Sequence, residues 1–311
     1  MINIQENISL APLTTFRIGG LAKYFIEVNN KEELLEALGF VRENQLKYFI
    51  LGGGSNLLIS DKGFDGVVIK IKINEFEIDQ ENFSLSIGSG VFLAKVVKES
   101  VVSGMTGMEW AAGVPGTVGG AIRGNARAYG KDFGSVVESV EFLDVNDLKV
   151  KTFNKQECEF LYWGSIFKKN ANLIILSTKI KLEKGDKEKS QQEVADIIKK
   201  RITVQPQGVG SPGSFFLNPV VTNEELRQEF EKEKGMKPKD DKLPAGWIIE
   251  QLGLRGKKMG GAMISEKHAN FLINTGSATA EDVVMLSSYI KQQVRDKYGI
   301  QLESEVNHVG F

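Results

Sequence analysis

The stretch GVPGTVGGAIRGNARAYG, residues 113–130, has six glycines in eighteen positions. A glycine inside a helix or strand costs roughly 0.5–1 kcal/mol relative to alanine, so this density predicts a backbone outside regular elements. Its two densest parts, Pro115-Gly116-Thr117 and Gly119-Gly120-Ala121, can bring backbone amides close to a flat ligand. The stretch therefore indicates a loop that holds a ligand mainly with its backbone.

A second glycine cluster, LGGGSNLL at 51–58, comes directly after the short apolar strand predicted at 47–51. Successive glycines allow backbone N–H groups to converge on one point, which suits phosphate oxygens. The cluster is neither a Walker A loop nor a dinucleotide fingerprint, because the residues that define those motifs do not follow it. One such turn commonly has no ligand, but two separated clusters favour a diphosphate attached to a large planar ring.

Charge and cysteine content exclude several classes of protein. The 39 basic and 40 acidic residues nearly cancel, which argues against a nucleic-acid partner. A single cysteine, Cys158, excludes an internal disulfide and fits a reducing compartment. One cysteine and two histidines disfavour a zinc site, and we expect no metal. No basic leader or long apolar run is present. We therefore expect a cytoplasmic protein with no membrane partner.

Apolar periodicity and breaker residues predict a chain that mixes helices and strands. Predicted helices cover 30–44 with Asn30 as N-cap, 91–104, 186–201, 223–234 and a long segment from Thr279; predicted strands cover 47–51, 66–73, 136–143 and 173–182. The Pro/Gly-rich stretch at 204–214 predicts a domain boundary near residue 205. The length of 311 residues also favours two or three domains.

Several motifs together make the chain recognisable. They are TTFRIGG (14–20), LGGGSNLL, GMEWAAGVPGTVGGAIRGNARAYG (107–130), GSFFLNP (213–219), LPAGWIIEQLGLRG (243–256), GGAMISEKHANFLIN (260–274) and LESEVNHVG (302–310). In this order they closely resemble the UDP-N-acetylenolpyruvoylglucosamine reductase family over nearly the whole chain. The spacing of the middle motifs resembles the shorter variety of that family, which lacks an insertion over the substrate.

The resemblance implies an α+β fold with a flavin-binding region of the vanillyl-alcohol-oxidase type and a C-terminal α/β substrate domain. The flavin-binding region would cover 1–205 as two subdomains, about 1–75 and 76–205, and the substrate domain 206–311. Residues implied to bind FAD are Gly52, Gly53, Gly54, Ser55, Asn56, Gly113, Gly116, Thr117, Gly119, Gly120, Ala121 and Asn125.

The resemblance also implies the reaction. NADPH would reduce the bound FAD, and UDP-N-acetylglucosamine enolpyruvate would then take up a hydride to become UDP-N-acetylmuramate, a peptidoglycan precursor needed for cell shape and division. Ser214 is implied to donate the proton, and Glu305 to polarise the developing enolate; Glu303, two residues earlier, is the neighbour most easily confused with it. Tyr162, Asn218 and Lys267 are implied substrate contacts. His268 fits a substrate contact or a structural role, and a monomer is expected.

Two positions depart from the family pattern. Where the family has Tyr-Arg-x-Ser, this chain has YWGS, so Trp163 replaces an arginine counted among the catalytic residues. In the flavin loop, Arg127 replaces a glycine. We hypothesise that Arg127 supplies the lost guanidinium as a catalytic cation, while Trp163 fills the vacated space and stacks on it. Alternatively Arg127 points to solvent, and Arg123 is the next candidate.

The substitution at Trp163 leaves two other functions open. The first alternative is a flavin-binding protein that has lost reductase activity. The second is a relative of the same fold that reduces another enol ether or oxidises a small alcohol. Ser214, Asn218 and Glu305 are all present, and this argues against both alternatives because a decayed site has no reason to keep all three.

Overall fold

The computed structural model describes residues 1–311 and mixes strands and helices along the whole chain. The strands are β1 (Ile4–Ser9), β2 (Leu21–Val28), β3 (Tyr48–Leu51), β4 (Leu57–Ile59), β5 (Phe64–Ile71), β6 (Phe76–Asp79), β7 (Ser84–Gly88), β8 (Met105–Thr106), β9 (Arg127–Ala128), β10 (Lys131–Asp132), β11 (Val137–Asp144), β12 (Lys149–Asn154), β13 (Leu173–Lys181), β14 (Glu183–Lys184), β15 (Lys258–Met259), β16 (Ala262–Ile264), β17 (Leu272–Asn274) and β18 (Asn307–Val309). The helices are α1 (Lys31–Glu43), α2 (Leu93–Val102), α3 (Val118–Gly124), α4 (Ile166–Lys169), α5 (Lys187–Val204), α6 (Glu224–Lys234), α7 (Ala245–Glu250) and α8 (Ala280–Tyr298). None of the helices combines the length and the apolar character needed to cross a membrane.

Local capping signals determine where the longer helices begin and end. The Asn30 side chain accepts a hydrogen bond from the Glu33 N–H at the start of α1, as the sequence predicts. Helix α8 begins with a full capping box between Thr279 and Asp282. It ends at Gly299, whose φ of 70° is in the left-handed region that glycine tolerates. Local residues therefore set these ends, and at the start of α8 the carboxylate of Asp61 adds to them by accepting from the N–H groups of Ala280 and Glu281.

The chain forms two compact units, and each is built from separated segments. Unit 1 contains Met1–Ile8, Ala22–Gly54 and Asp65–Thr203; unit 2 contains Ser9–Leu21, Ser55–Phe64 and Val204–Phe311. The sequence assigned everything before residue 205 to the first region, but two short N-terminal segments belong to unit 2. One reason is strand pairing, since β4 pairs in parallel with β18 near the other end of the chain.

Unit 1 contains two larger sheets, and each contributes to a hydrophobic cluster. A four-stranded sheet in the order β1-β2-β5-β3 packs with α1 around residues such as Ile26, Leu34 and Ile69. A five-stranded sheet in the order β12-β11-β13-β7-β6 contributes to a second cluster that includes Trp110 and Phe142. Strand β3 of the four-stranded sheet ends at Leu51, directly before the glycines at 52–54.

Unit 2 is organised around a three-stranded antiparallel sheet, β15-β16-β17, and the long helix α8. Its hydrophobic cluster includes Phe215 and Phe216 with Ile248, Leu286 and Ile290. Because both phenylalanines are buried in this cluster, the segment that begins at Ser214 is anchored to the core of the unit.

Part of the first glycine-rich stretch is helical, which corrects the expectation that it lies outside regular elements. Residues 118–124 form α3, and Val118 and Ile122 are fully buried along it. A Cβ on Gly119 would come within 2.9 Å of the Ser89 Cβ. The glycines therefore allow a short helix to pack against a neighbouring segment, and that packing outweighs their low helix propensity.

One buried carboxylate attaches α5 to the segment that leads into the glycine-rich stretch. Glu109 is 1% exposed and accepts hydrogen bonds from Thr106 Oγ1 at 2.8 Å, Gly107 N at 2.8 Å and Ser190 Oγ at 2.6 Å. Burial disfavours its charge, but these hydrogen bonds outweigh burial and hold the pKa of Glu109 below its usual range. The ionised carboxylate therefore stabilises unit 1.

We expect Glu109→Gln to lower the unfolding free energy by about 2–3 kcal/mol at pH 7, because the amide nitrogen cannot accept hydrogen bonds. Since the folded-state pKa is depressed, the advantage of the native residue is present above the unfolded pKa and is lost as pH falls through the folded one. Urea denaturation at pH 7 and at acid pH measures both effects. The exposed Glu193→Gln on α5 is the control. Equal denaturation curves for the two variants at pH 7 would contradict the assignment.

Candidate functional site

The two glycine clusters predicted to hold a ligand meet in unit 1. A Cβ on Gly53 would lie 2.6 Å from the Gly116 Cα, and a Cβ on Gly52 would lie 2.8 Å from the Thr117 Oγ1. At Gly53 so short a contact would force backbone to move, so only glycine permits this approach, and at Gly52 it would displace the Thr117 side chain. Gly116 also has a φ of 119°, which side chains rarely adopt. The clusters thus form one backbone-lined cradle.

Polar atoms without partners lie in this cradle or against it. In unit 1 the hydroxyls of Thr117 and of Ser89, which packs against Gly119, are buried and make no hydrogen bond. A buried polar atom without a partner costs free energy, so orphans beside a cradle indicate that a polar ligand completes them. This set fits a cofactor with a diphosphate and polar ring edges, as FAD has.

Asn125, also predicted to bind FAD, has its amide occupied by the protein. Its Oδ1 accepts a hydrogen bond from the Gly134 N–H, and its Nδ2 donates to the Leu161 carbonyl, both at 2.9 Å. The residue is 3% exposed and ends α3 in the left-handed conformation, with a φ of 45°. Its side chain therefore ties the flavin loop to residue 161.

The segment that begins at Leu161 makes a tight turn at its tip. The Leu161 N–H donates to the Gly164 carbonyl, and Trp163 between them has a φ of 62°. A bulky residue with that φ is strained, and such strain often marks a functional site. The Lys168 Nζ donates to the Trp163 carbonyl at 3.0 Å, which helps to hold the turn.

Arg127 stacks on Tyr162, and this corrects the expectation that it stacks on Trp163. The guanidinium carbon lies 4.5 Å from the centre of the Tyr162 ring, within the range of a cation–π contact. Trp163 meets Tyr162 edge-on, with 6.2 Å between ring centres. Arg127 is half-buried and Arg123 is exposed. The Arg127 guanidinium is thus held against the turn in which Trp163 stands in place of the family's arginine.

In unit 2, a buried asparagine holds the segment of Ser214 in place. The Asn270 side chain accepts from the Phe216 N–H and donates to the Phe216 carbonyl, both at 2.9 Å. Its own carbonyl accepts from the Phe215 N–H at 2.7 Å. On the other edge, the Glu305 N–H donates to the Phe215 carbonyl at 2.8 Å. The backbones beside Ser214 and Glu305 are therefore locked together.

Burial separates the two candidate glutamates. Glu303 is exposed, whereas Glu305 is half-buried, and the Asn56 Nδ2 donates to the Glu305 carbonyl at 3.3 Å. The backbone carbonyl of Asn56 accepts hydrogen bonds from the N–H and from the side-chain amide of Asn307. The structure therefore joins Glu305, and not Glu303, to the serine–asparagine end of the second glycine cluster.

The remaining predicted residues of unit 2 have different surroundings. The Asn218 Oδ1 accepts from the Ala245 N–H at 3.0 Å at the start of α7, which orients its amide. Lys267 is exposed. The His268 Nδ1 accepts from the Asn270 N–H at 3.2 Å, and its ring packs against Phe271. Burial, and then the charge of Arg255, lower the pKa of His268, so it is neutral at pH 7 and supports Asn270.

Sequence analysis missed Asn270, which connects Phe215, Phe216 and His268. Asn270 lies in the motif GGAMISEKHANFLIN, and the signal that could have found it is a polar residue among the apolar residues of 269–273. In the structure it is 3% exposed, and an amide buried to that degree is expected to have hydrogen-bond partners.

Comparisons with known proteins cover both units. Residues 22–153 match the FAD binding domain family, and residues 205–309 match the C-terminal domain of UDP-N-acetylenolpyruvoylglucosamine reductase. The chain is 33% identical to the UDP-N-acetylenolpyruvoylglucosamine reductase of Solibacter usitatus, over 99% of this chain and 97% of the relative. It is 36% identical to that of Carboxydothermus hydrogenoformans, over 99% and 94%.

A solved structure agrees with these matches. The crystal structure of UDP-N-acetylenolpyruvylglucosamine reductase from Thermus caldophilus has a TM-score of 0.78 and 28% identity to this chain, covering 99% of this chain and 100% of the other. The matched FAD binding domain takes in both halves of the glycine cradle, and the matched C-terminal domain takes in Ser214, Asn270 and Glu305.

The cradle makes a testable prediction at Gly53. We expect Gly53→Ala to purify with less than about a tenth of the flavin of the parent protein, because the added methyl meets backbone that cannot give way. Visible flavin absorbance per mole of protein measures this. Gly39→Ala in α1 is the matched control, since its methyl meets nothing within 4 Å and should leave the flavin content unchanged. A Gly53→Ala protein with full flavin content would rule out the cradle.

Proposed function

Because this chain belongs to the UDP-N-acetylenolpyruvoylglucosamine reductase family, we propose that it reduces UDP-N-acetylglucosamine enolpyruvate to UDP-N-acetylmuramate with Ser214 as proton donor and Glu305 as electrophilic partner. Family membership makes it an FAD-dependent oxidoreductase of peptidoglycan precursor synthesis. The observation that carries the assignment of roles is the hydrogen bond from the Glu305 N–H to the carbonyl of Phe215, which follows Ser214 directly, in a segment that Asn270 holds from its other side. We further propose that it acts as a monomer in the cytoplasm, in support of cell shape and division.

The cradle residues suit the cofactor. Gly52, Gly53 and Gly54 would hold the FAD diphosphate with backbone N–H groups, together with Ser55 and Asn56. Along the ring, the proposed contacts are Gly113, Gly116, Thr117, Gly119, Gly120 and Ala121, with Asn125 holding the loop behind them. When bound, FAD supplies the redox chemistry by carrying the reducing equivalent of NADPH to the enolpyruvyl group. The orphan hydroxyl of Thr117 supports this placement.

Ser214 and Glu305 act on the carbon next to the one that receives the hydride. The terminal carbon of the enolpyruvyl group takes up the hydride, which leaves enolate character at the neighbouring carbon, C2. A hydrogen-bonded carboxyl of Glu305 stabilises this charge, and the hydroxyl of Ser214 delivers the proton. A free serine hydroxyl is a weak acid, so the role depends on fixed geometry. Gly213, with a φ of 87°, and the paired Phe215 supply it on either side.

The substrate contacts are proposed on chemical grounds. The amide of Asn218, fixed by Ala245, keeps its Nδ2 group as a donor suited to a diphosphate oxygen. Lys267 is an exposed cation on the same unit and suits the same group. In unit 1, the phenol of Tyr162 lies at the tip of the turn with Arg127 over its face.

Changing Ser214 to alanine tests the proton donor. We expect Ser214→Ala to keep its flavin and to bleach with NADPH at the parental rate, because the hydroxyl acts only after hydride transfer. Anaerobic reoxidation by the enolpyruvate should slow by at least about a thousandfold. Stopped-flow absorbance follows both half-reactions. Ser288→Ala, at an exposed position of α8, is the control and should stay within threefold of the parent. Reoxidation within tenfold in Ser214→Ala would exclude this residue as the donor.

We propose that Arg127 supplies the positive charge that Trp163 cannot. At about 4 Å and an effective dielectric near 20, a cation stabilises a unit negative charge by about 4 kcal/mol. Loss of one such group typically costs 10²–10³ in rate. The stack on Tyr162 supports the role because it holds the guanidinium at the turn where the family has its arginine.

A double variant tests this substitution of one cation by another. Arg127→Gly should slow flavin reoxidation by the enolpyruvate at least about a hundredfold while NADPH still bleaches the flavin. The double change Arg127→Gly, Trp163→Arg should restore much of the loss. Arg123→Gln, which removes an exposed cation in the last turn of α3, is the control and should have little effect. Unchanged reoxidation in Arg127→Gly would show that the charge lies outside the mechanism.

A further inference from the structure

Lys70 lies beside the glycine cradle, and no motif pointed to it. It is on β5, paired in parallel register with Leu51, the last residue of β3 before the glycines. Its Nζ donates a hydrogen bond to the Gly52 carbonyl at 2.5 Å. A lysine from the neighbouring strand is therefore attached to the first residue of the loop.

The charge of Lys70 has no salt-bridge partner. The carboxylate of Glu27 lies near enough to favour the cation, but the Lys72 Nζ is bound to the Glu27 Oε2 at 2.7 Å. Lys70 is half-buried, and burial lowers its pKa, followed by smaller effects of Glu27, which raises it, and of Lys72, which lowers it. A partly desolvated cation whose nearest carboxylate is already bound by another lysine costs free energy that an anionic ligand offsets.

The carbonyl group of Gly52, which accepts the hydrogen bond from Lys70, explains why a cation is needed beside the cradle. A diphosphate in the cradle is attracted by N–H groups and repelled by carbonyl oxygens. The ammonium group on the Gly52 oxygen counters the negative end of that carbonyl. Gly52 cannot carry a side chain to do this, since a Cβ there would meet the Thr117 hydroxyl at 2.8 Å.

We propose that Lys70 is a positioning residue for the diphosphate of FAD, which fixes the Gly52 carbonyl and provides the counter-charge to the anion. This inference rests on the flavin site proposed above. The role is electrostatic, so any cation of similar reach serves it, while a neutral chain of the same length does not.

The dissociation constant of FAD tests the role directly. Lys70→Met should weaken FAD binding at least about tenfold, which corresponds to about 1.4 kcal/mol. Lys70→Arg should stay within threefold, and Lys72→Met, which removes the neighbouring cation on the same chain segment, within twofold. Release of FAD on dilution of the full-length holoprotein, followed by flavin fluorescence, measures all three. Added KCl should weaken binding more in the parent than in Lys70→Met.

Thermal unfolding of the flavin-stripped full chain separates electrostatics from a structural role. Without FAD, Lys70→Met should melt at or above the parental temperature because an uncompensated cation has been removed. Binding of FAD by Lys70→Met within twofold of the parent would overturn the inference. A lower melting point together with equal loss in Lys70→Arg would overturn it too. A parent that holds no FAD would overturn the flavin site itself, whereas a flavin-loaded parent with an unaffected variant would overturn Lys70 alone.

Discussion

The backbone of Gly53 lies against the backbone of Gly116, and the glycine cradle of unit 1 depends on this contact. Two segments some sixty residues apart can line one ligand only if neither carries a Cβ at the point where they meet. The surrounding features follow from that approach. Helix α3 packs its Gly119 against Ser89, Asn125 ties the end of α3 to Leu161, and the turn at Trp163 begins there. The cofactor cradle and the position of Arg127 are thus parts of one arrangement.

In unit 2, side-chain hydrogen bonds fix the segment that follows Ser214. Asn270 imitates a neighbouring strand by pairing both polar ends of its amide with Phe216. The two phenylalanines after Ser214 are buried in the hydrophobic cluster, while Glu305 bonds the other edge. A weakly acidic hydroxyl depends on such rigidity, because misplacement of a catalytic group by about 1 Å can cost a hundredfold in rate.

Local signals predicted much of the fold, and long-range contacts account for what they missed. Asn30, Thr279 and Gly299 set their helix ends through neighbours within a few residues, so their roles follow from the sequence. Helix α3 was missed because its packing against Ser89 outweighs glycine propensity. The placement of Ser9–Leu21 and Ser55–Phe64 in unit 2 was missed because the pairing of β4 with β18 has no local signature.

The site residues divide in the same way. Glycine density predicted both glycine clusters, and motif resemblance predicted the roles of Ser214 and Glu305, which stay predictions. The family matches confirm the resemblance itself. Asn270 lies within a recognised motif but without a predicted role, and Lys70 lies outside the motifs; each contacts a partner distant in sequence, which a local pattern does not reveal. Arg127 was identified as the unusual cation, but its stacking partner was wrong, because the strained turn presents Tyr162 to it and sets Trp163 to one side.

The parallel pairing of β4 with β18 also has a consequence for how the protein is made. During synthesis, Leu57–Ile59 leaves the ribosome well before Asn307–Val309, so β4 stays without this partner for most of translation. Closing so large a loop makes the contact late and slow to form. Unit 1 can begin to fold before β18 of unit 2 has been synthesised. Until then β4 has an unpaired edge, which is the kind of surface that chaperones bind.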